Sequence, residues 1–123
     1  MLPSLRLPLL ATLLIFLVAV SAQAQITASV AEIVQNPDRY DGKVVTVSGT
    51  IASYRERVSA RGNPYTTFRL VDAGVSVAVF AWKHHGLWDG LRVRATGVFQ
   101  KIRRVGRYTF YNEIEAQRIE VIH

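Results

Sequence analysis

Two short segments of the chain carry its excess positive charge. Residues 55–63 contain Arg55, Arg57 and Arg61 beside one acid, Glu56. The remainder of that excess lies in residues 101–107, which contain no acid and four cations: Lys101, Arg103, Arg104 and Arg107. The whole protein has a formal net charge of +6. Because guanidinium and ammonium groups bind phosphates and carboxylates, this clustering predicts an anionic partner.

Aromatic side chains lie between the two basic segments. Tyr65, Phe80 and Trp82 have the parity opposite to the apolar positions expected to point inward, and Arg69 shares that parity. Tyr108 follows the second basic segment. Bases stack on flat rings at about 1–3 kcal/mol each while cations track phosphates, so this pattern favours single-stranded nucleic acid. An anionic lipid headgroup, a polyanionic glycan or an acidic protein surface would use the same cations.

Patterns for catalysis and for metal binding are weak. The chain has no cysteine, which excludes disulfides, thiol nucleophiles and cysteine-ligated metals. Its serines have no His or Asp in a recognisable arrangement, so we expect a protein that is not an enzyme and needs no metal or cofactor. His84 and His85 form a candidate metal or haem pair, which gives a third and weaker hypothesis because adjacent side chains point in different directions.

Two acids near the C-terminus are assigned a structural role. Glu113 and Glu115 are two residues apart in a predicted strand and therefore share one face. We expect them to form a solvent-facing row of salt bridges with Arg92 and Arg94 on the neighbouring strand.

The N-terminus has the pattern of an export signal. Arg6 is the only charge in the first 31 residues, residues 9–20 are almost entirely apolar, and Ala22 and Ala24 supply an Ala-x-Ala frame. This pattern is typical of a secretory signal peptide. The sequence therefore predicts a signal peptide over residues 1–24 and a periplasmic or secreted domain over residues 25–123. The alternative is an uncleaved membrane anchor.

The remaining elements predict one small all-β domain. Ser29 and Glu32 fit a capping box for a short helix that ends at Asn36-Pro37. Apolar residues then alternate with polar ones over five segments, 43–54, 64–71, 75–82, 91–101 and 107–122. Gly49 suggests a bulge or a sharp bend, and a change of parity suggests a bulge near Gln117. Open edges of a sheet invite aggregation, and a chain this short has little else to cover them. The five strands therefore predict a closed barrel preceded by a short helix.

Four runs of residues carry a family resemblance. They are VAEIV at 30–34, YDGKVVTVSGTI at 40–51, TFRLVD at 67–72 and DGLRVRATGVF at 89–99. Together they resemble the OB-fold nucleic-acid-binding superfamily, with the best match to small tRNA-anticodon-binding-like domains that include exported bacterial members. The resemblance covers residues 29–122 and implies a five-stranded OB-fold barrel.

The resemblance also implies a binding surface. OB domains bind ligands across strands 2 and 3, between the loops that join strands 1 to 2 and strands 4 to 5. The two basic segments fall in those loops. The expected nucleic-acid-binding residues are Arg55, Arg57, Arg61, Tyr65, Arg69, Phe80, Trp82, Lys101, Arg103, Arg104, Arg107 and Tyr108.

Two hypotheses of different classes follow. The first is an exported OB-fold module that binds an anionic polymer, above all single-stranded nucleic acid. The alternative is a periplasmic module that holds an envelope protein or a glycan without binding nucleic acid. Burial of Phe80 and Trp82 beneath residues 83–90 would favour the alternative, because no stacking surface would then exist.

Overall fold

The computed structural model describes residues 24–123, so the signal peptide predicted over residues 1–24 lies outside the described residues except for Ala24. The chain is mostly β-sheet with two short helices. In chain order the elements are β1 (Ile26–Thr27), α1 (Val30–Gln35), α2 (Pro37–Tyr40), β2 (Val44–Val58), β3 (Pro64–Asp72), β4 (Val75–Trp82), β5 (Arg92–Val105) and β6 (Tyr108–Val121). Across residues 24–123, no helix combines the length and the apolar character needed to span a membrane.

The five long strands pair in a closed ring. Their order is β2-β3-β4-β6-β5, and β5 pairs again with β2. All neighbours are antiparallel except β4 and β6, which are parallel over Ala78–Phe80 and Glu113–Glu115. Strand β1 is a sixth strand that the sequence analysis did not include, and it pairs in parallel with Val45 and Thr46 of β2.

The core fills the inside of this ring and one end of it. Ile51, Leu70, Phe99 and Ile114 are among the largest fully buried side chains. Helix α1 adds Val30 and Ile33, which are also fully buried. Its predicted capping box is confirmed: Ser29 Oγ accepts from the Glu32 amide at 3.1 Å, and Glu32 Oε1 accepts from the Ser29 amide at 2.9 Å.

The bulge predicted near Gln117 is confirmed, whereas β2 has no bulge at Gly49. Thr96 pairs with Arg118 and Gly97 with Ala116, so Gln117 is the extra residue of a bulge. Gly49 instead pairs regularly with Val93. A Cβ at Gly49 would lie 2.7 Å from the Val71 carbonyl oxygen, so this glycine serves a close approach of two strands. The irregularity of β2 lies at Ser53, where φ is 55°.

Strands extend into both basic segments, which the sequence predicted to be loops, and turns occupy only the tips of the two hairpins. Strands β2 and β3 stay paired out to Val58 and Pro64, which places Arg55 and Arg57 within β2. Strands β5 and β6 stay paired out to Val105 and Tyr108. We call these extensions the β2–β3 arm (residues 55–67) and the β5–β6 arm (residues 101–111). Their many charged side chains hide the alternation that identifies a strand, although backbone pairing continues beyond the core.

Candidate nucleic-acid interface

A groove of about 600 Å³ lies between the surface of β3 and β4 and the β5–β6 arm. It brings together residues from both basic segments and from the sheet between them. Six of the expected binding residues line it: Arg57, Tyr65, Phe80, Trp82, Arg103 and Tyr108. Its other lining residues are Ser59, Ala60, Thr67, Val105, Phe110 and Glu113.

Three rings of β3 and β4 form one aromatic cluster in the groove. Tyr65 lies opposite Trp82 in the register of the two strands. The rings of Tyr65 and Phe80 are stacked with centroids 5.4 Å apart, and Trp82 meets Phe80 edge-on at 4.9 Å. Phe80 is 9% exposed, whereas Trp82 is 49% exposed. Phe80 therefore supports the cluster, and Trp82 presents an accessible ring.

The β5–β6 arm supplies the opposite wall of the groove. Its lining pairs are Val105 with Tyr108 and Arg103 with Phe110, each directly across the two strands. Tyr108 and Phe110 are both exposed. Phe110 was not among the residues expected from the sequence, although its parity with Tyr108 on one strand indicates the same face.

Arg103 joins the two walls. Its Nε donates to Glu113 Oε1 at 2.7 Å. Its Cζ lies 5.1 Å from the centroid of the Phe80 ring and 4.9 Å from that of Phe110. The guanidinium therefore lies against a ring from each wall, an arrangement that favours a cation electrostatically.

The predicted role of Glu113 is wrong. Glu113 is only 7% exposed and pairs with Arg103 instead of joining a solvent-facing row. Arg94 pairs with Glu120, whose carboxylate lies 3.9 Å away. The register of β5 and β6 explains the difference, because it places Gln100 opposite Glu113 and Arg94 opposite Glu120.

Four other expected residues lie beside the groove or at its ends. Arg55 and Arg69 line a neighbouring pocket that shares Arg57 with the groove. Arg69 is held by its own sheet, since its Nη2 donates to Ser76 Oγ at 2.8 Å. Arg61 and Arg107 are exposed in the turns at the tips of the two arms.

Two expected binding residues lie away from the groove. The Nζ atom of Lys101 forms an ion pair with Asp38 at 2.7 Å, and this contact raises the pKa of Lys101 above its usual value. Arg104 lies between Arg103 and Val105 on β5, and both of those neighbours line the groove. Because side chains alternate along a strand, Arg104 points to the opposite face of the arm.

The connection over residues 83–91 follows the β2–β3 arm and does not line the groove. His84 Nε2 donates to the Arg57 carbonyl oxygen at 2.8 Å, and His85 Nε2 donates to the Trp82 carbonyl oxygen at 2.9 Å. The two imidazoles thus bind different backbone groups. In the part of the chain that the structure describes, no group of three or more His, Asp or Glu residues could hold a metal ion.

Glu56 fastens this connection to the arm. Its Oε2 accepts from the Gly86 amide and from the Tyr54 hydroxyl, both at 2.8 Å, and His84 Nδ1 lies 3.8 Å from its Oε1. The hydrogen bond from the Gly86 amide and, to a smaller extent, the one from the Tyr54 hydroxyl hold the pKa of Glu56 below its ordinary value of 4.5. The carboxylate form is therefore favoured in the folded protein.

Acidification should loosen this connection. Since the pKa of Glu56 is lower in the folded state, its stabilising effect is present above pH 4.5 and is lost as the pH falls through the folded-state pKa. We expect protection of the Gly86 amide from hydrogen exchange, corrected for intrinsic rates, to fall over that range. Glu56→Gln is the control, because its amide does not titrate. The same acid-dependent loss in that variant would contradict the assignment.

Comparison with known proteins gives matches among solved structures. No protein-family model matches the chain, and no curated protein matches it either. The structure of yeast Stn1 and Ten1 is similar with a TM-score of 0.64 and 11% identity, over 81% of this chain and 64% of that one. A structure described as an aspartyl-tRNA synthetase from Leishmania major Friedlin is similar with a TM-score of 0.61 and 13% identity, over 85% of this chain and 22% of that one.

These matches concern the fold. The chain spans less than two thirds of the length of either protein. The identities are low, and the shared feature is a mostly β-sheet, OB-like arrangement of strands. Function has to be argued from the groove, because one fold hosts many functions.

Proposed function

We propose that this chain is an exported OB-fold module that binds single-stranded nucleic acid in the groove between its two arms, and that it acts by binding rather than by catalysis. The observation that carries this proposal is the combination of Tyr65, Trp82 and Tyr108 with Arg57 in one groove. Bases can stack on the accessible rings while the backbone follows the cations.

The free cations are placed to meet phosphates. Arg57 lines the groove, and the tips of the two arms carry Arg61 and Arg107. Among the described residues, none of these three forms a salt bridge. Their positive charge is therefore available to a ligand, in contrast to that of Lys101 and Arg103, each of which is paired with an acid.

Two further points support this proposal over a partner without bases. Trp82 keeps about half of its surface exposed, which a stacking surface requires. One of the similar structures is described as an aspartyl-tRNA synthetase, an enzyme named for a nucleic acid. Export is proposed from residues 1–24 alone, and it places the module in the periplasm or outside the cell. An acidic envelope protein or glycan would compete for the same cations.

The proposal is tested by fluorescence of Trp82 in a Trp88→Phe variant, which leaves Trp82 as the only tryptophan. A single-stranded oligonucleotide should change the emission saturably, because a base stacks on this ring. With about three phosphates neutralised, a fourfold rise in salt should weaken binding about twentyfold.

Heparin and vesicles of anionic lipid serve as comparison ligands in the same titration. Each carries negative charge without bases, so we expect weaker binding and little change in Trp82 emission. Equal binding of heparin with no response from Trp82 would overturn the proposal in favour of a glycan. Oligonucleotide binding that does not depend on salt would contradict the assigned role of the arginines.

A further inference from the structure

Arg103 is held in one orientation, which the binding of a flexible phosphate backbone does not require. Its guanidinium contacts the rings of Phe80 and Phe110, and its Nε is fixed by Glu113. Glu113 is itself 93% buried, so the anchor is part of the sheet. A planar donor held in one orientation is suited to reading a planar ligand edge.

The charge at this point of the groove is already balanced. Glu113 lines the groove beside Arg103, and the 2.7 Å contact pairs one negative with one positive charge. A phosphate would gain little from a neutral pair and would approach a carboxylate. A neutral base that accepts hydrogen bonds has no such penalty. The pair therefore favours a base over the backbone.

The outer edge of the guanidinium remains open. Within residues 24–123, Arg103 forms a side-chain hydrogen bond through Nε, and neither Nη1 nor Nη2 forms one. The side chain is 23% exposed and belongs to the groove lining. The two terminal nitrogens can donate in parallel to two adjacent acceptors.

Guanine has the base edge that fits this donor pair best. Its O6 and N7 are adjacent acceptors, whereas adenine places a donor beside N7. This edge is also remote from the sugar. A recessed guanidinium is therefore reached more easily by a purine edge than by the acceptors of cytosine, which include an oxygen beside the glycosidic bond.

We propose that Arg103, held by Glu113 and the two phenylalanine rings, selects guanine by a bidentate hydrogen bond to O6 and N7. This inference rests on the proposed function, since it assumes a single strand in the same groove. Arg57 and the arginines at the arm tips would hold the backbone, and Arg103 would supply base preference.

The test compares strands that differ in one base. An all-thymine oligonucleotide of about eight nucleotides, within the range of site sizes for OB folds, is compared with versions that carry one central guanine, adenine, cytosine or 7-deazaguanine. We expect the guanine strand to bind about tenfold more tightly than the others. The 7-deazaguanine strand should lose most of that advantage, because it lacks the N7 acceptor.

Two variants separate base reading from charge. Arg103→Lys keeps the charge but not the paired donors, so the preference should fall below about twofold while the all-thymine strand still binds. Arg104→Lys, on the opposite face of the arm, should keep the full preference. Circular dichroism checks that both variants are folded, and an unfolded Arg103→Lys protein would be replaced by Arg103→Gln.

Each outcome has a distinct meaning. Equal affinity for all five strands, or a guanine preference that survives loss of the Arg103 guanidinium, would overturn the guanine inference and leave the proposed function standing. Failure of every strand to bind would overturn both.

Discussion

Replacing Trp82 with alanine should weaken the binding of a single-stranded oligonucleotide about tenfold to a hundredfold. The ring is 49% exposed, lies in the groove and is held edge-on against Phe80 at 4.9 Å. It is thus both accessible and fixed in place. Loss of one base–aromatic stack costs about 1–3 kcal/mol. Fluorescence anisotropy of a labelled oligonucleotide measures the change without relying on tryptophan emission.

Trp88→Ala is the matched control for this experiment. Trp88 is 61% exposed, lies in the connection between β4 and β5, and is not part of the groove lining. Its removal deletes the same type of ring from a different place on the surface. We expect its affinity to stay within twofold of that of the wild type. Comparable losses in the two variants would place the ligand outside the groove.

The second large effect concerns stability. Gly97→Ala should lower the free energy of unfolding by about 3 kcal/mol or more, the upper part of the range for overpacked sites. A Cβ at this position would overlap the Glu115 carbonyl oxygen and lie 2.6 Å from the Ala116 Cα atom. These atoms belong to the backbone of the paired strand β6, so they cannot move aside as a flexible side chain would. Chemical denaturation followed by circular dichroism measures the loss.

Gly106→Ala controls for the general effect of replacing a glycine. Gly106 lies in the exposed turn of the β5–β6 arm with φ at 58°, and no atom lies within 4 Å of a Cβ built there. The expected loss is about 1 kcal/mol, from the left-handed backbone alone. If Gly97→Ala were as mild as Gly106→Ala, the close packing of β5 on β6 at the Gln117 bulge would be contradicted.

The Arg103–Glu113 pair also explains how the exposed β5–β6 arm keeps its place as one wall of the groove. The arms extend beyond the core, and a two-stranded ribbon alone is only marginally stable. Glu113 lies in β6 opposite Gln100 and beside Ala78 of β4, within the closed ring. Arg103, farther out on β5, reaches back to it. This contact ties the β5–β6 arm to the sheet and sets its position against Phe80.

The sequence by itself determined the local elements. The capping box at Ser29 and Glu32 depends on residues three apart, and the alternation of apolar and polar residues indicates the long strands and the bulge at Gln117. Side-chain parity also placed Tyr65, Phe80 and Trp82 on one face, because alternation along a strand is a property of the backbone. This part of the groove could therefore be predicted without tertiary structure, whereas Phe110 and Glu113 were not expected in it.

Only the tertiary structure decided which of these residues share the groove. Arg103 and Arg104 are adjacent arginines, and the face that β5 turns toward Phe80 decides which of them lies in the groove. Lys101 pairs with Asp38, which is distant in sequence, and Arg103 pairs with Glu113, which is not directly opposite it in the register of β5 and β6. Charge density shows that a surface is basic, whereas strand register and cross-strand packing decide which charges remain free to bind.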